Sequence, residues 1–119
     1  MPGTIVHFEL PSADADRAAA FWSGLFGWSI GGSVMEEFDY RMFQAAENQG
    51  GAVMPSEKAG SGLIVYFDTN DIDGSIARVR ELGGSADDKQ PVPSMGWFAS
   101  CRDTEGNSFS LWQHDPSAA

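Results

Sequence analysis

Apolar and polar positions alternate along residues 4–10, Thr-Ile-Val-His-Phe-Glu-Leu, in the manner of a single β-strand. Val6, Phe8 and Leu10 fall on one face; Ile5, His7 and Glu9 fall on the other. The first face is wholly apolar and belongs against a helix. The second is mixed, with His7 at the middle of the strand. A related stretch returns at residues 63–69, Leu-Ile-Val-Tyr-Phe-Asp-Thr. There Val65 and Phe67 form the apolar face, and Ile64, Tyr66 and Asp68 the other. Two copies of one strand, each with a sealed back and a mixed front, predict two half-domains that build a shared cavity.

The remaining pattern supports a repeat. After the first strand, Pro11-Ser12-Ala13-Asp14 reads as a turn with helix-capping residues. Ala18, Phe21, Trp22 and Leu25 then recur at i, i+3, i+4 and i+7, the stripe of an amphipathic helix, and Gly27 is placed to end it. Phe21 and Leu25 are expected to lie against Val6 and Phe8. Residues 28–30, 38–43 and 50–54 read as strands, and 55–61 as a linker. The second half opens with the strand at 63–69. A helix follows, capped by Asn70 or Asp71, with Ile72, Ile76, Val79 and Leu82 as its stripe and Gly83-Gly84 as its end. Residues 85–93 carry Pro91 and Pro93 and make at best an edge strand. Strands at 97–102 and 108–113 flank a turn. Each half is β-α-β-β-β. The chain therefore reads as one α+β domain over residues 1–119, with module one at about 3–55 and module two at about 62–115.

Composition narrows the function. At 119 residues the chain is long enough for a real core. A net charge of −10 argues against nucleic acid and anionic membranes as partners, because phosphate binding needs a basic surface. A single cysteine, Cys101, excludes an intramolecular disulfide. The start of the chain lacks the basic and apolar regions of a signal peptide, and no apolar stretch reaches bilayer length. The expected location is the cytoplasm.

The repeat order, the helix ending Phe-Trp-Ser-Gly-Leu-Phe-Gly-Trp, and the closing Asp-Thr-Glu-Gly-Asn-Ser-Phe-Ser-Leu-Trp together resemble the vicinal oxygen chelate superfamily. That group includes glyoxalase I, bleomycin-resistance proteins, fosfomycin-resistance enzymes and extradiol dioxygenases. The chain is most similar to its small bacterial glyoxalase-like members. The resemblance implies two βαβββ modules in tandem, an incomplete barrel with a central cup, and a homodimer. Metal-dependent members hold a divalent ion through four positions facing the cup. One of these falls on His7. The others fall on Ile64, Ser110, and Gly51 or Ala52, where none of the usual ligands stands. His7 is thus the one surviving candidate ligand, and no cofactor is expected. A divalent metal held by a different ligand set stays open.

His7 and Glu9 are the catalytic candidates. An imidazole with an ordinary pKa of about 6.5 suits proton transfer, and a carboxylate two residues away on the same face is placed to orient it. The plainer reading is a half-buried histidine bonded to Glu9 or to backbone. Tyr66, Ser110 and Trp112 share the presumed cup face by alternation and are ligand-binding candidates. Trp97 joins them, although its phase, like that of Tyr40, is ambiguous. His114 reads as a solvated residue near the end of the chain, and Cys101 has no neighbouring base. Two functions follow. The first is a protein that binds a small organic ligand without the usual metal. The second is a lyase or isomerase that moves a proton next to a carbonyl using His7 and Glu9.

Overall fold

The computed structural model describes residues 2–56 and 62–119, so the final residues of the expected linker lie outside the described part. The described chain forms two compact units, Val6–Ile64 and Met1–Ile5 with Val65–Ala119.

The first unit contains β1 (Ile5–Ser12), α1 (Ala15–Phe26), β2 (Arg41–Ala46) and β3 (Gln49–Pro55). The strand order is β2-β3-β1. β1 and β3 run parallel, pairing Phe8 with Gly51 and Leu10 with Val53, while β2 lies antiparallel on β3. Asp14 caps α1 by accepting from the Arg17 amide, as the turn sequence predicts. Residues 28–30 are not a strand. Trp28 instead folds back as an aromatic wedge, its ring stacked on Phe43 at 4.5 Å and on Trp22 at 5.7 Å. The reversal is made by Gly27, which ends α1 at φ 75°, a left-handed conformation that a side chain disfavours.

This wedge changes which side of α1 is buried. Ala15, Ala18 and Trp22 pack on the cluster of Leu10, Phe43 and Val53. Phe21 and Leu25 remain 61 % and 56 % exposed, so the expected contact with Val6 and Phe8 does not form. Periodicity gave the helix an apolar stripe but not its centre. The Trp28 ring takes the adjoining space and turns the helix so that Trp22 meets it. Arg41 fixes the same orientation from outside, joining Asp39 of its own segment at 2.9 Å to Asp16 of α1 at 2.8 Å.

The second unit contains β4 (Ile64–Asp68), α2 (Ile72–Glu81), β5 (Ser85–Ala86), β6 (Gln90–Val92), β7 (Gly96–Arg102) and β8 (Ser108–His114). The strand order is β4-β8-β7-β5, with β6 also paired to β7. The proline-bearing stretch is thus two short strands on one neighbour. β4 and β8 are parallel, and β7 and β8 form an antiparallel hairpin. Asp71 caps α2, and Gln113 adds a side-chain bond to the Ile72 amide at 2.8 Å. Ile72 and Ile76 of α2 close over Ala99, Cys101 and Leu111. Burying side chains of this size contributes roughly 1.5–3 kcal/mol each for the larger ones.

Gly51 is the tightest point of the first unit. A Cβ built there would lie 2.6 Å from the Phe8 carbonyl oxygen and 2.7 Å from the Phe43 ring. Gly51→Ala is therefore expected to cost about 1–3 kcal/mol by overpacking, read as a lower urea midpoint at unchanged slope.

Candidate functional site

β1 places His7 and Glu9 on the side of the sheet away from α1, because Phe8 and Leu10 are held in the helix-facing cluster. The register sets Gly50 beside His7 and Ala52 beside Glu9, with Met42 beyond Ala52. Tyr40, just before β2, carries the same parity as Met42. It is the residue that joins the other two. Its hydroxyl lies 2.7 Å from His7 Nε2 and donates to Glu9 Oε2 at 2.7 Å. The His7 and Tyr40 rings are stacked, 16° from parallel.

Burial gives this chain its weight. Glu9 and Tyr40 are each 8 % exposed, and His7 is half-buried. Burial lowers the His7 pKa from its ordinary 6.5 by penalising the imidazolium. His7 is consequently neutral at neutral pH, the form that accepts a proton. Tyr40 is held by the loop before it. The Ser33 hydroxyl accepts from the Tyr40 amide at 3.0 Å, and the Val34 amide donates to the Tyr40 carbonyl at 3.0 Å. Ser33 also bridges to Arg41 as an isolated antiparallel pair.

In the second unit the register puts Tyr66 beside Ser110 and Asp68 beside Trp112. Tyr66, Ser110 and Trp112 therefore share one face. Phe67 and Phe109 meet edge to face on the opposite side, with Leu111 packed against α2. Ser110 is 2 % exposed, and the Trp112 indole lies over Gly96. Trp97 does not join this group. It pairs with Gln113 in the register and packs on the α2 core, on the parity of Ala99 and Cys101. Its indole N–H donates to Asp115 at 3.0 Å, and the Lys89 ammonium sits 4.6 Å above its ring. Strand phase, set by the small buried residues 99 and 101, turns Trp97 toward the helix. Burial pushes the Cys101 thiol up to about 11, which leaves it unreactive near neutrality. His114 is exposed at the end of β8.

The metal implied by the superfamily was tested against these residues. Among the described residues no three His, Cys, Asp or Glu side chains gather as an ion would require. Ala52 stands beside Glu9 with no donor, Gly51 lies on the helix side, and the facing atoms of His7 and Glu9 both engage Tyr40. The residues present do not fit the usual ligand set.

The profile of the glyoxalase-like domain matches residues 6–112. The chain belongs to the glyoxalase-like domain family. This glyoxalase-like chain is 29 % identical to a glyoxylase-like domain-containing protein of Didymella fabae, over 92 % of each. It is 28 % identical to the anthracycline biosynthesis protein DauV of Streptomyces sp. strain C5, over 94 % of this chain and 47 % of DauV. The chain thus spans about half the length of most of the curated relatives it matches. Its fold is that of methylmalonyl-CoA epimerase from Mycobacterium tuberculosis, with a TM-score of 0.73 at 14 % identity over 96 % of this chain and 89 % of that one.

Tyr40 is the residue that sequence reasoning underweighted. Its phase was ambiguous in the sequence, and its meeting with Glu9 depends on the β2–β3–β1 register, which no local pattern encodes. A pH dependence follows from His7. Its folded pKa is depressed, so the unfolded chain binds a proton first. The stability present above pH 6.5 is lost as pH falls from 6.5 through the lowered folded value. Denaturant titrations between pH 8 and 5 are expected to show this decline, and His7→Gln is expected to flatten it. The depressed carboxyls of Asp39, Asp103 and Asp115 act only in a lower range, below about pH 4 to 5.

Proposed function

We propose that this glyoxalase-like chain binds a small carbonyl compound and moves a proton on the adjacent carbon, with His7 as the base. The observation that carries the reading is the buried Glu9–Tyr40–His7 chain, whose imidazole is kept neutral by burial. A neutral imidazole is a useful base only toward a weakly acidic proton, and a carbonyl supplies that acidity to the carbon beside it. The C–H electrons pass to the carbonyl oxygen as an enolate, and the proton passes to His7. Return of the proton by His7 to another position completes an isomerisation, and delivery of a solvent proton to the opposite face of the same carbon, with His7 releasing its own to solvent, completes an epimerisation. The polar side chains on the other bonds of the chain spread the positive charge that His7 acquires. That methylmalonyl-CoA epimerase shares the fold supports an epimerase or isomerase over a lyase. On this reading the partner is the substrate itself, and no resident cofactor takes part.

The test is proton exchange with solvent. Methylmalonyl-CoA and hydroxyacetone are incubated with the protein in deuterium oxide and followed by proton NMR. The signal beside the carbonyl of at least one is expected to fade faster than in buffer. His7→Ala is expected to slow that exchange by about 10²–10⁴-fold. Undiminished exchange by the His7→Ala protein sinks the mechanism. Tight binding by tryptophan fluorescence without any exchange sinks the enzyme reading and leaves ligand capture in its place.

A further inference from the structure

We infer that Tyr40 is a positioning residue that holds His7 in the Nε2–H tautomer, so that the ring's basic lone pair is carried by Nδ1. A phenol has a single proton, and an ionised carboxylate has none to give. Tyr40 Oη is 2.7 Å from Glu9 Oε2 and donates to it. The same oxygen is 2.7 Å from His7 Nε2. With its proton committed to Glu9, Tyr40 can only accept from the imidazole. His7 therefore contributes Nε2–H, and its acceptor nitrogen is Nδ1. The catalytic meaning rests on the reading of His7 as base: the substrate proton would be taken at Nδ1, and the imidazolium would keep its Nε2–H bond to the Tyr40–Glu9 pair throughout. The bond to Tyr40 does not have to be remade during the transfer, which favours a fast step. The tautomer itself does not depend on turnover.

The chain contains only two histidines, His7 and His114. Long-range proton–nitrogen NMR of the full chain labelled with ¹⁵N-histidine at pH 8 therefore shows two rings, and His114→Asn assigns them. The wild-type His7 ring is expected to show a protonated Nε2 and an unprotonated Nδ1. Glu9→Met is expected to reverse this. Without the carboxylate the Tyr40 proton turns to Nε2, and the ring proton moves to Nδ1. Tyr40→Phe is expected to leave a mixture of the two forms. A wild-type ring protonated at Nδ1 overturns the inference, because a protonated Glu9 would then be driving every bond the other way. An unchanged tautomer in Glu9→Met also overturns it. The wild-type spectrum decides even if a variant fails to fold. Should deuterium exchange fail while the tautomer stands, the proposed function falls and this inference does not; the converse result removes only the inference.

Discussion

A carboxyl group taken out of water must be hydrogen-bonded, and much of the first unit is arranged around meeting that demand for Glu9. At 8 % exposure Glu9 has little access to solvent, and an unsatisfied partner there costs about 1–3 kcal/mol or more. Tyr40 supplies one such bond. Tyr40 can do so because Ser33 gathers the loop that precedes it and because Arg41, the next residue, is tied to Asp16 on α1. Arg41 thus points toward the helix while Tyr40 points to the other side. Adjacent residues on an extended segment serve opposite faces, and both are needed to fix the phase of β2.

The aromatic wedge works on the helix side of the same strands. Trp28 stacked on Phe43, with Phe43 closing over Gly51, forms an apolar layer on that side. A bulky apolar layer behind β1 leaves His7 and Glu9 no choice of side: if Phe8 and Leu10 are held in that layer, alternation sends 7 and 9 to the other face. The polar chain and the apolar wedge are in this sense one constraint. Loosening the wedge would release the strand register on which the Glu9–Tyr40 distance depends.

These relations explain what was legible in the sequence. Strand alternation fixed the faces of His7, Glu9, Tyr66, Ser110 and Trp112, and the capping residues Asp14 and Asp71 located both helices. The parity of Tyr66, Ser110 and Trp112 survives because it follows from one local rule. The errors all arise where two distant segments decide the outcome. Trp28 has strand propensity, but Gly27 and the ring of Phe43 turn it inward. Phe21 and Leu25 sit within an apolar stripe, but Trp28 chooses which part of that stripe is buried. Trp97 follows the phase of Ala99 and Cys101, whose burial against α2 is a tertiary fact. Tyr40 was ambiguous because its importance lies in a cross-strand meeting rather than in its neighbours.

The same reasoning bears on the ligand set that the superfamily leads one to expect. In a metal site an ion draws an imidazole and a carboxylate together and satisfies both. Here the Tyr40 hydroxyl performs that joining, 2.7 Å from each. The consequence is chemical. An ion would polarise a substrate oxygen directly, whereas a phenol bridging two side chains supplies no such Lewis acid, and the proposed mechanism rests on the imidazole as base. Ala52 beside Glu9 brings no donor of its own to the carboxylate. Ala52 and Tyr40 are complementary in this sense: the position beside Glu9 offers no donor side chain, and the phenol meets both His7 and Glu9 instead.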